Sequence, residues 1–496
     1  MQLTPGMKLT PGMQLTPGMQ PPPPTRHRHQ RRRRLRRHRR AAAPLLLALL
    51  TAAATLAAAT GCGTRLPSSA FASRPAPGTT GPATGPGPAN QNPASDIGVT
   101  PTQIHIGILA SLTSPVGSAA FSGPGYGAQA FFRALNDSGG VNGRTVAVTV
   151  CDDGGSGIGN QDCVHQLIDH DQVFALDATA ALDYAGAPYV NQKAVPDIGG
   201  QPITTVYDQY PHLYEIGGSN APRDGRTVGW NGTLYQSTEI FRFFKQRLGT
   251  VRAAVVAYNQ ADSTRYASQL VDGLHAEGYH VLSQTVDLAL PDFQAVAAAM
   301  KADGTQLLFD AMDTRGNAAL CNAMDTAGVK VLAKVTNVEN WGESVRQDYA
   351  SSPNCRNVLW ATSSSRNYED VQYPAVAQFR AAMAKYFPDQ QSQLSAWNLE
   401  GWAAAQWLTD AVASCGANVT RACVERFMNR TQPYNAHNLI LPASFVRTPP
   451  PTGDTDACLN AARWQDSAQG GRGGWVTQVP NMDTNCYVVP QLPYTP

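Results

Sequence analysis

Nine cysteines are the residues of this 496-residue chain best suited to covalent chemistry, and their spacing sets one apart from eight. The eight fall as near neighbours: Cys151 with Cys163, Cys321 with Cys355, Cys415 with Cys423, and Cys458 with Cys486. Disulfides persist in oxidising compartments, so an exported chain would pair them locally, although sequence alone leaves the connectivity open. No Cys-x-x-Cys occurs, which argues against a zinc site or thioredoxin-like chemistry. Catalytic signatures are missing too: there is no His-Glu-x-x-His, no Gly-x-Ser-x-Gly and no Walker A loop. The glycine-rich Gly154–Gly159 fits neither phosphate fingerprint and reads as a surface loop. No enzymatic activity, cofactor or metal is expected.

The ninth cysteine, Cys62, ends a different pattern. Ten arginines lie between Arg26 and Arg40, an apolar stretch runs from Ala41 to Thr60, and Gly61-Cys62 follow. A basic region, an apolar region and small residues before one cysteine form an export signal. Ala59-Thr60-Gly61-Cys62 resembles a bacterial lipobox, with Leu56 set further back than the usual leucine. Cys62 would be acylated and become the mature N-terminus. The alternative is an uncleaved span, since about 20 apolar residues can cross a bilayer; Pro44 and the many alanines make a poor one. Upstream, Met1–Gly6, Met7–Gly12 and Met13–Gly18 repeat one Pro/Gly-containing hexamer too short to bury anything.

Removing residues 1–61 changes the charge argument. They hold eleven basic side chains and no acid, so 27 basic against 36 acidic side chains remain, a formal charge of −9. The arginine run is therefore not a nucleic-acid patch, and an acidic body argues against a nucleic-acid partner. Gly63 to Asp96 is rich in Pro, Gly, Ala, Ser and Thr, a composition that reads as a flexible tether.

The body reads as alternating strands and helices. Apolar, β-branched runs predict strands at 103–112, 144–151, 173–176, 195–199, 252–258, 280–286, 306–309 and 329–336. Helical spacing predicts helices at 127–136, 160–169, 184–192, 239–248, 265–277, 292–302 and 316–327. Alternating βα units imply parallel sheets flanked by helices, an α/β class of two Rossmann-like lobes. The expected organisation is a leader and signal over 1–61, a lipid-attached linker over 62–97, and a first lobe over 98–218. A second lobe covers 219–358, a return to the first lobe 359–430, and a C-terminal segment, mostly second lobe, 431–496. Open α/β sheets bind ligands beyond the carboxyl ends of their strands, so two facing lobes suggest a clamp.

Several motifs then carry a resemblance. Gly98-Val99-Thr100 precedes Ile104-His105-Ile106-Gly107; Asn136 to Arg144 contains Gly139-Gly140-Val141-Asn142-Gly143; Asp152-Asp153 ends a strand. Val255 to Tyr266 is followed by Leu274 to Tyr279, and Tyr373 to Trp407 includes Trp397, Gly401 and Trp402. In this order they resemble the type 1 periplasmic-binding fold, and within it the branched-chain-amino-acid-type solute-binding proteins of ABC transporters. The paired cysteines and signal resemble lipoprotein members from high-GC Gram-positive bacteria. The resemblance implies a monomer that binds a small molecule for ABC permease subunits, anchored by lipid on the outer face of the cytoplasmic membrane. The same architecture would serve a ligand-sensing domain of a membrane signalling partner, or a structural protein with a degenerate cleft.

The resemblance also places ligand residues in loops. In the first lobe these are Thr113 and Ser114 after the first strand, Thr179 and Ala180 at a helix start, and Gly199 and Gly200 at the next strand end. In the second lobe they are Tyr258, Tyr266, Asp313 and Asn337. Amino-acid binders of the family hold the carboxylate with hydroxyls and the ammonium with an acid. Here small Ala and Gly residues replace most of those hydroxyls, and Asn337 sits about where the acid is expected, so Asp313 would face the cationic end. Each position also has an ordinary use: an Asp caps helices and a Tyr packs half-buried.

Overall fold

The computed structural model describes residues 92–114, 118–336 and 338–496. The expected signal, Cys62 and most of the tether lie outside the described residues, as does Asn337. Where the chain enters, it is already fastened to the body. The Ser95 hydroxyl donates to the Val419 carbonyl at 2.5 Å, and Asp96 accepts the Arg421 N–H at 2.8 Å.

The first lobe begins with β1 (Gln103–Ala110), α1 (Ser118–Asp137), β2 (Thr145–Asp152) and α2 (Gly157–His165). β3 (Ala175–Asp177), α3 (Ala187–Gln192), β4 (Asp197–Gly200) and β5 (Leu213–Glu215) complete its sheet. The five strands are parallel in the order β2-β1-β3-β4-β5. The turn before β2 shows why Asn136 to Arg144 has its sequence. Asn136 exchanges two 2.8 Å hydrogen bonds with the Val146 backbone. Gly140 sits at φ +77°, where a Cβ would lie 1.9 Å from the Arg144 carbonyl oxygen. The fully buried Arg144 donates to the carbonyls of Thr100, Pro93 and Ala417. That motif builds the fold and touches no cleft.

The chain then crosses through β6 (Leu234–Ser237) and α4 (Glu239–Leu248) into the second lobe. There follow β7 (Arg252–Tyr258), α5 (Ala261–Ala276), β8 (His280–Val286), α6 (Phe293–Asp303), β9 (Leu307–Ala311), α7 (Thr314–Ala327) and β10 (Ala333–Thr336). Two short helices, α8 (Val345–Asp348) and α9 (Pro353–Arg356), lead to β11 (Leu359–Ser363), which still belongs to the second sheet. α10 (Pro374–Tyr386), α11 (Ala396–Ser414) and α12 (Arg421–Met428) return to the first lobe. The C-terminal strands are β12 (Thr455–Cys458), β13 (Asn460–Gln465), β14 (Gly474–Thr477), β15 (Cys486–Val489) and β16 (Gln491–Tyr494). The second sheet runs β14-β13-β11-β10-β9-β7-β8, with β13 and β14 antiparallel to their neighbours. β12 pairs with β15, and β16 with β6.

Helix α1 starts nine residues before the predicted Gly127, although Pro124 lies inside it. Glycine and proline hide this helix from a propensity reading, yet they are what lets it pack. A Cβ on Gly127 would sit 1.8 Å from the Asn398 carbonyl oxygen, and one on Gly401 would sit 2.0 Å from that of Pro124. Close approach of α1 and α11 thus overrides propensity. The four local disulfides are formed: Cys151–Cys163, Cys321–Cys355, Cys415–Cys423 and Cys458–Cys486.

Candidate functional site

A cleft of about 1590 Å³ opens between the lobes. Its first-lobe wall is mostly loop: Gly155, Leu182 and Asp183, Pro202 to Thr205 after β4, Asp208, Glu215 at the end of β5, and Gly218 to Ala221, with Phe121 from α1. Its second-lobe wall carries Tyr258 at the end of β7, Arg265 and Tyr266 on α5, and Met312 and Asp313 after β9. Thr448 to Thr452 and Tyr494 close the hinge side.

The second-lobe residues are built for this place. Asp313 caps α7: its Oδ1 accepts the Gly316 N–H at 2.9 Å, satisfying a donor the helix leaves open. The same oxygen accepts the Tyr258 hydroxyl at 2.8 Å. Gly316 makes room, since a Cβ there would lie 2.0 Å from that hydroxyl. Burial and the neighbouring carboxylate raise the Tyr258 phenol, so it stays a neutral donor. Tyr266 is 42% exposed, a large aromatic face open to the cleft. The sequence expectation and the structure therefore bring Tyr258, Tyr266 and Asp313 together.

In the first lobe the expected residues are turned to other work, and none of the six lines the cleft. The Thr179 hydroxyl, 1% exposed, donates to Asp197 Oδ1 at 2.8 Å. Asp197 Oδ2 accepts the hydroxyls of Tyr184 and Tyr207 at 2.8 and 3.1 Å. Burial pushes the Asp197 carboxyl up to about 6. Thr179 and Ala180 do not begin a helix, because α3 starts only at Ala187. The Ala180 N–H is bonded to the Leu109 carbonyl, so it offers a ligand nothing. Gly199 sits at φ +68°, and a Cβ there would lie 2.1 Å from that of Ala404 on α11. Gly200 leaves space for Tyr207, whose hydroxyl would be 1.8 Å from a Cβ. Thr113 and Ser114 pack against the loop at Gly154-Gly155, and the Thr113 N–H donates to Asp152 at 3.2 Å.

Sequence reasoning missed Asp208, Glu215 and the stretch Gly218 to Ala221. Their usable signal was composition: Gly217-Gly218-Ser219-Asn220 is a loop cluster between two periodic segments. The Ser219 hydroxyl donates to Asp208 at 2.6 Å. Burial raises both the Asp208 and Glu215 carboxyls, and the Asp208 charge raises Glu215 further.

Among the described residues no helix is long and apolar enough to cross a membrane. No curated protein sequence matches the chain. Solved structures do. The branched-chain amino acid transporter substrate-binding protein of Streptococcus pneumoniae, in complex with isoleucine, aligns at TM-score 0.56 and 15% identity over 76% of this chain and 100% of that one. A fatty acid ABC transporter substrate-binding protein from Thermomonospora curvata aligns at TM-score 0.58 and 16% identity over 80% and 97%. An ABC transporter solute-binding protein from R. palustris, in complex with benzoate, aligns at TM-score 0.58 and 13% identity over 78% and 98%. The fold is thus the type 1 periplasmic-binding fold. Residues 103–471 match the family model described as periplasmic binding protein. Members bind solutes outside the cytoplasmic membrane rather than transforming them. With the family model spanning both lobes and the cleft between them, this chain belongs to the periplasmic binding protein family.

Proposed function

We propose that this protein captures a small polar solute, an amino acid or an amide-like molecule, for an ABC importer, and that acylated Cys62 holds it on the outer face of the cytoplasmic membrane. The observation that carries the reading is the cleft itself, lined by polar and aromatic side chains from both lobes. A solute touching both walls favours the closed arrangement by its differential affinity. Tyr266 supplies an apolar face, and the Tyr258–Asp313 pair supplies an oriented donor and acceptor. Asn337, which follows β10 in sequence, is a further candidate contact. The neighbours' ligands span isoleucine, fatty acid and benzoate, so the fold by itself does not choose the solute.

Thermal melting of the full-length chain against a panel of amino acids, amides and sugars tests this, because a solute that binds only the native state raises its melting temperature by mass action. One solute class should stabilise it in a concentration-dependent way. No shift with any solute would refute the reading. The anchor has its own test. Cys62→Ser should release the protein from membranes or leave it unprocessed, and unchanged partition into detergent would remove lipidation.

A further inference from the structure

Acidic side chains outnumber basic ones in the lining of the cleft. Asp183, Asp208, Glu215, Asp313 and Asp456 line it, against Arg265 as the cationic side chain of the lining. Two of the acids, Asp208 and Glu215, stand close enough at the hinge side for the charge of Asp208 to act on Glu215. Ser219 donates to Asp208. Arg223 attracts both carboxylates, but it stands outside the lining. Its guanidinium donates to the Leu213 carbonyl at 2.6 Å and to Asn429 at 3.2 Å. It lies over the rings of Tyr214 and Phe445 at 4.9 and 4.6 Å.

Aromatic side chains gather at the same end. The Tyr494 phenol feels the charge of both Asp208 and Glu215, and the buried Tyr207 feels that of Glu215. The Gly229 N–H donates to the Asp208 carbonyl at 3.0 Å, and the next residue, Trp230, donates its indole N–H to the Thr448 carbonyl at 2.9 Å. The rings of Trp230 and Tyr235 meet edge to face at 5.5 Å. Trp230, Tyr235 and Tyr494 all line the cleft. Thr204, on the same first-lobe wall, buries its hydroxyl oxygen with no hydrogen-bond partner. Carboxylates attract a cation by charge, and ring faces attract it through their quadrupole once water is displaced.

We infer that the hinge end of the cleft binds a positively charged nitrogen, as an amine, guanidine or quaternary ammonium, between the Asp208–Glu215 pair and the Trp230, Tyr235 and Tyr494 rings, so that the solute carries net positive charge. This rests on the reading of the cleft as a solute site and adds the class of solute. Burial raises both carboxyls, and a cation placed beside them acts in the opposite direction.

Calorimetry on the full-length chain, with agmatine, cadaverine and choline as cationic probes and leucine, acetamide and glutarate as neutral and anionic ones, tests the inference. The cationic probes should bind at least about tenfold more tightly, and the Asp208→Asn/Glu215→Gln variant should lose about tenfold of that affinity. Tyr494→Ala, two residues from the chain end, should lose several-fold with the carboxyl pair intact. If the double variant fails to fold, Tyr494→Ala decides, and unchanged cation affinity in it overturns the assignment. Equal or tighter binding of leucine, acetamide or glutarate overturns the cationic preference while leaving solute binding standing. If no probe of any charge binds, the cation site falls, and the solute reading then rests on the wider panel alone.

Discussion

At the carboxyl end of the first sheet, Thr179, Tyr184 and Tyr207 close on Asp197 and leave the cleft to irregular chain. At the carboxyl end of the second, Tyr258 and Asp313 bond to each other as directly but stay on the cleft wall. Both sheets have a strand-order reversal, between β1 and β3 in one and β7 and β9 in the other, where open α/β sheets place ligands. In the first lobe that crevice is partly filled from within, and only Gly155, Leu182 and Asp183 of its loops line the cleft. The Ser111 hydroxyl donates to Asp153 at 2.7 Å and accepts the Leu182 N–H at 3.0 Å. Asn160 donates to the other Asp153 oxygen and accepts the Gly186 N–H. A strand end is thus a site only where packing leaves it open; where the protein supplies its own partners, the same residue types hold the fold together.

The contrast breaks most readily at the disulfide that anchors α7. Cys321 lies on the helix capped by Asp313, and Cys355 lies on α9. Replacing both by Ala opens a loop of 34 residues and should cost about 4 kcal/mol by loop-closure entropy. Chemical denaturation with lobe-resolved hydrogen exchange should find the loss in the second lobe, with the first unaffected.

Gly200→Ala probes the opposite lobe. Its new Cβ meets the Tyr207 hydroxyl, so Tyr207 must leave Asp197 or the strand must shift. A loss of about 3 kcal/mol is expected. A variant as stable as the parent would mean that the glycine serves the cleft after all.

The pH dependence of the first lobe follows from Asp197. Its folded carboxyl titrates at about 6, above the ordinary 3.8, because burial disfavours the charge. The folded state therefore holds the proton more tightly than the unfolded chain. This contribution is fully present below about 4 and is lost as the pH rises through about 6. A rise of this size corresponds to roughly 3 kcal/mol. Asp177, fully buried with neither carboxyl oxygen paired, is pushed up by burial and by the Asp197 charge, and it acts in the same direction. Urea unfolding at pH 4.5 and 7.5 should show the parent gaining on Asp197→Asn as the pH falls. Parallel curves would contradict this.

Asp313→Ala sharpens the second-lobe side. It removes a helix cap, worth about 1 kcal/mol of stability. It also removes the charged acceptor offered to a solute, worth about 1–3 kcal/mol of affinity. Calorimetry and melting separate the two effects.

The legible part of the fold is the βα series from β1 to β10, because each unit has its own apolar run and its own helical spacing. The start of α1 was hidden by Pro124 and by glycines whose reason lies on α11, more than 250 residues away. The C-terminal ribbons were hidden because β12 and β16 find partners in β15 and β6, distant strands that local patterning does not announce. The site divides in the same way. Tyr258, Tyr266 and Asp313 were readable because a polar or aromatic residue at a second-lobe strand end or helix start does face the cleft. Thr179 was not, because its partner Asp197 begins the next strand with its side chain buried, and sequence does not show which way a strand-end side chain turns. Gly199 and Gly200 looked like places for a ligand to approach, yet they admit Ala404 and Tyr207.

The most direct test compares one residue from each lobe in a single calorimetric experiment, using the solute that most raises the melting temperature. Tyr266→Ala should weaken binding by about tenfold or more through loss of an aromatic face in the cleft. Thr179→Val, at a hydroxyl already engaged by Asp197, should change it by less than about twofold while lowering stability by about 1 kcal/mol. Undiminished affinity in Tyr266→Ala together with a large loss in Thr179→Val would contradict the account.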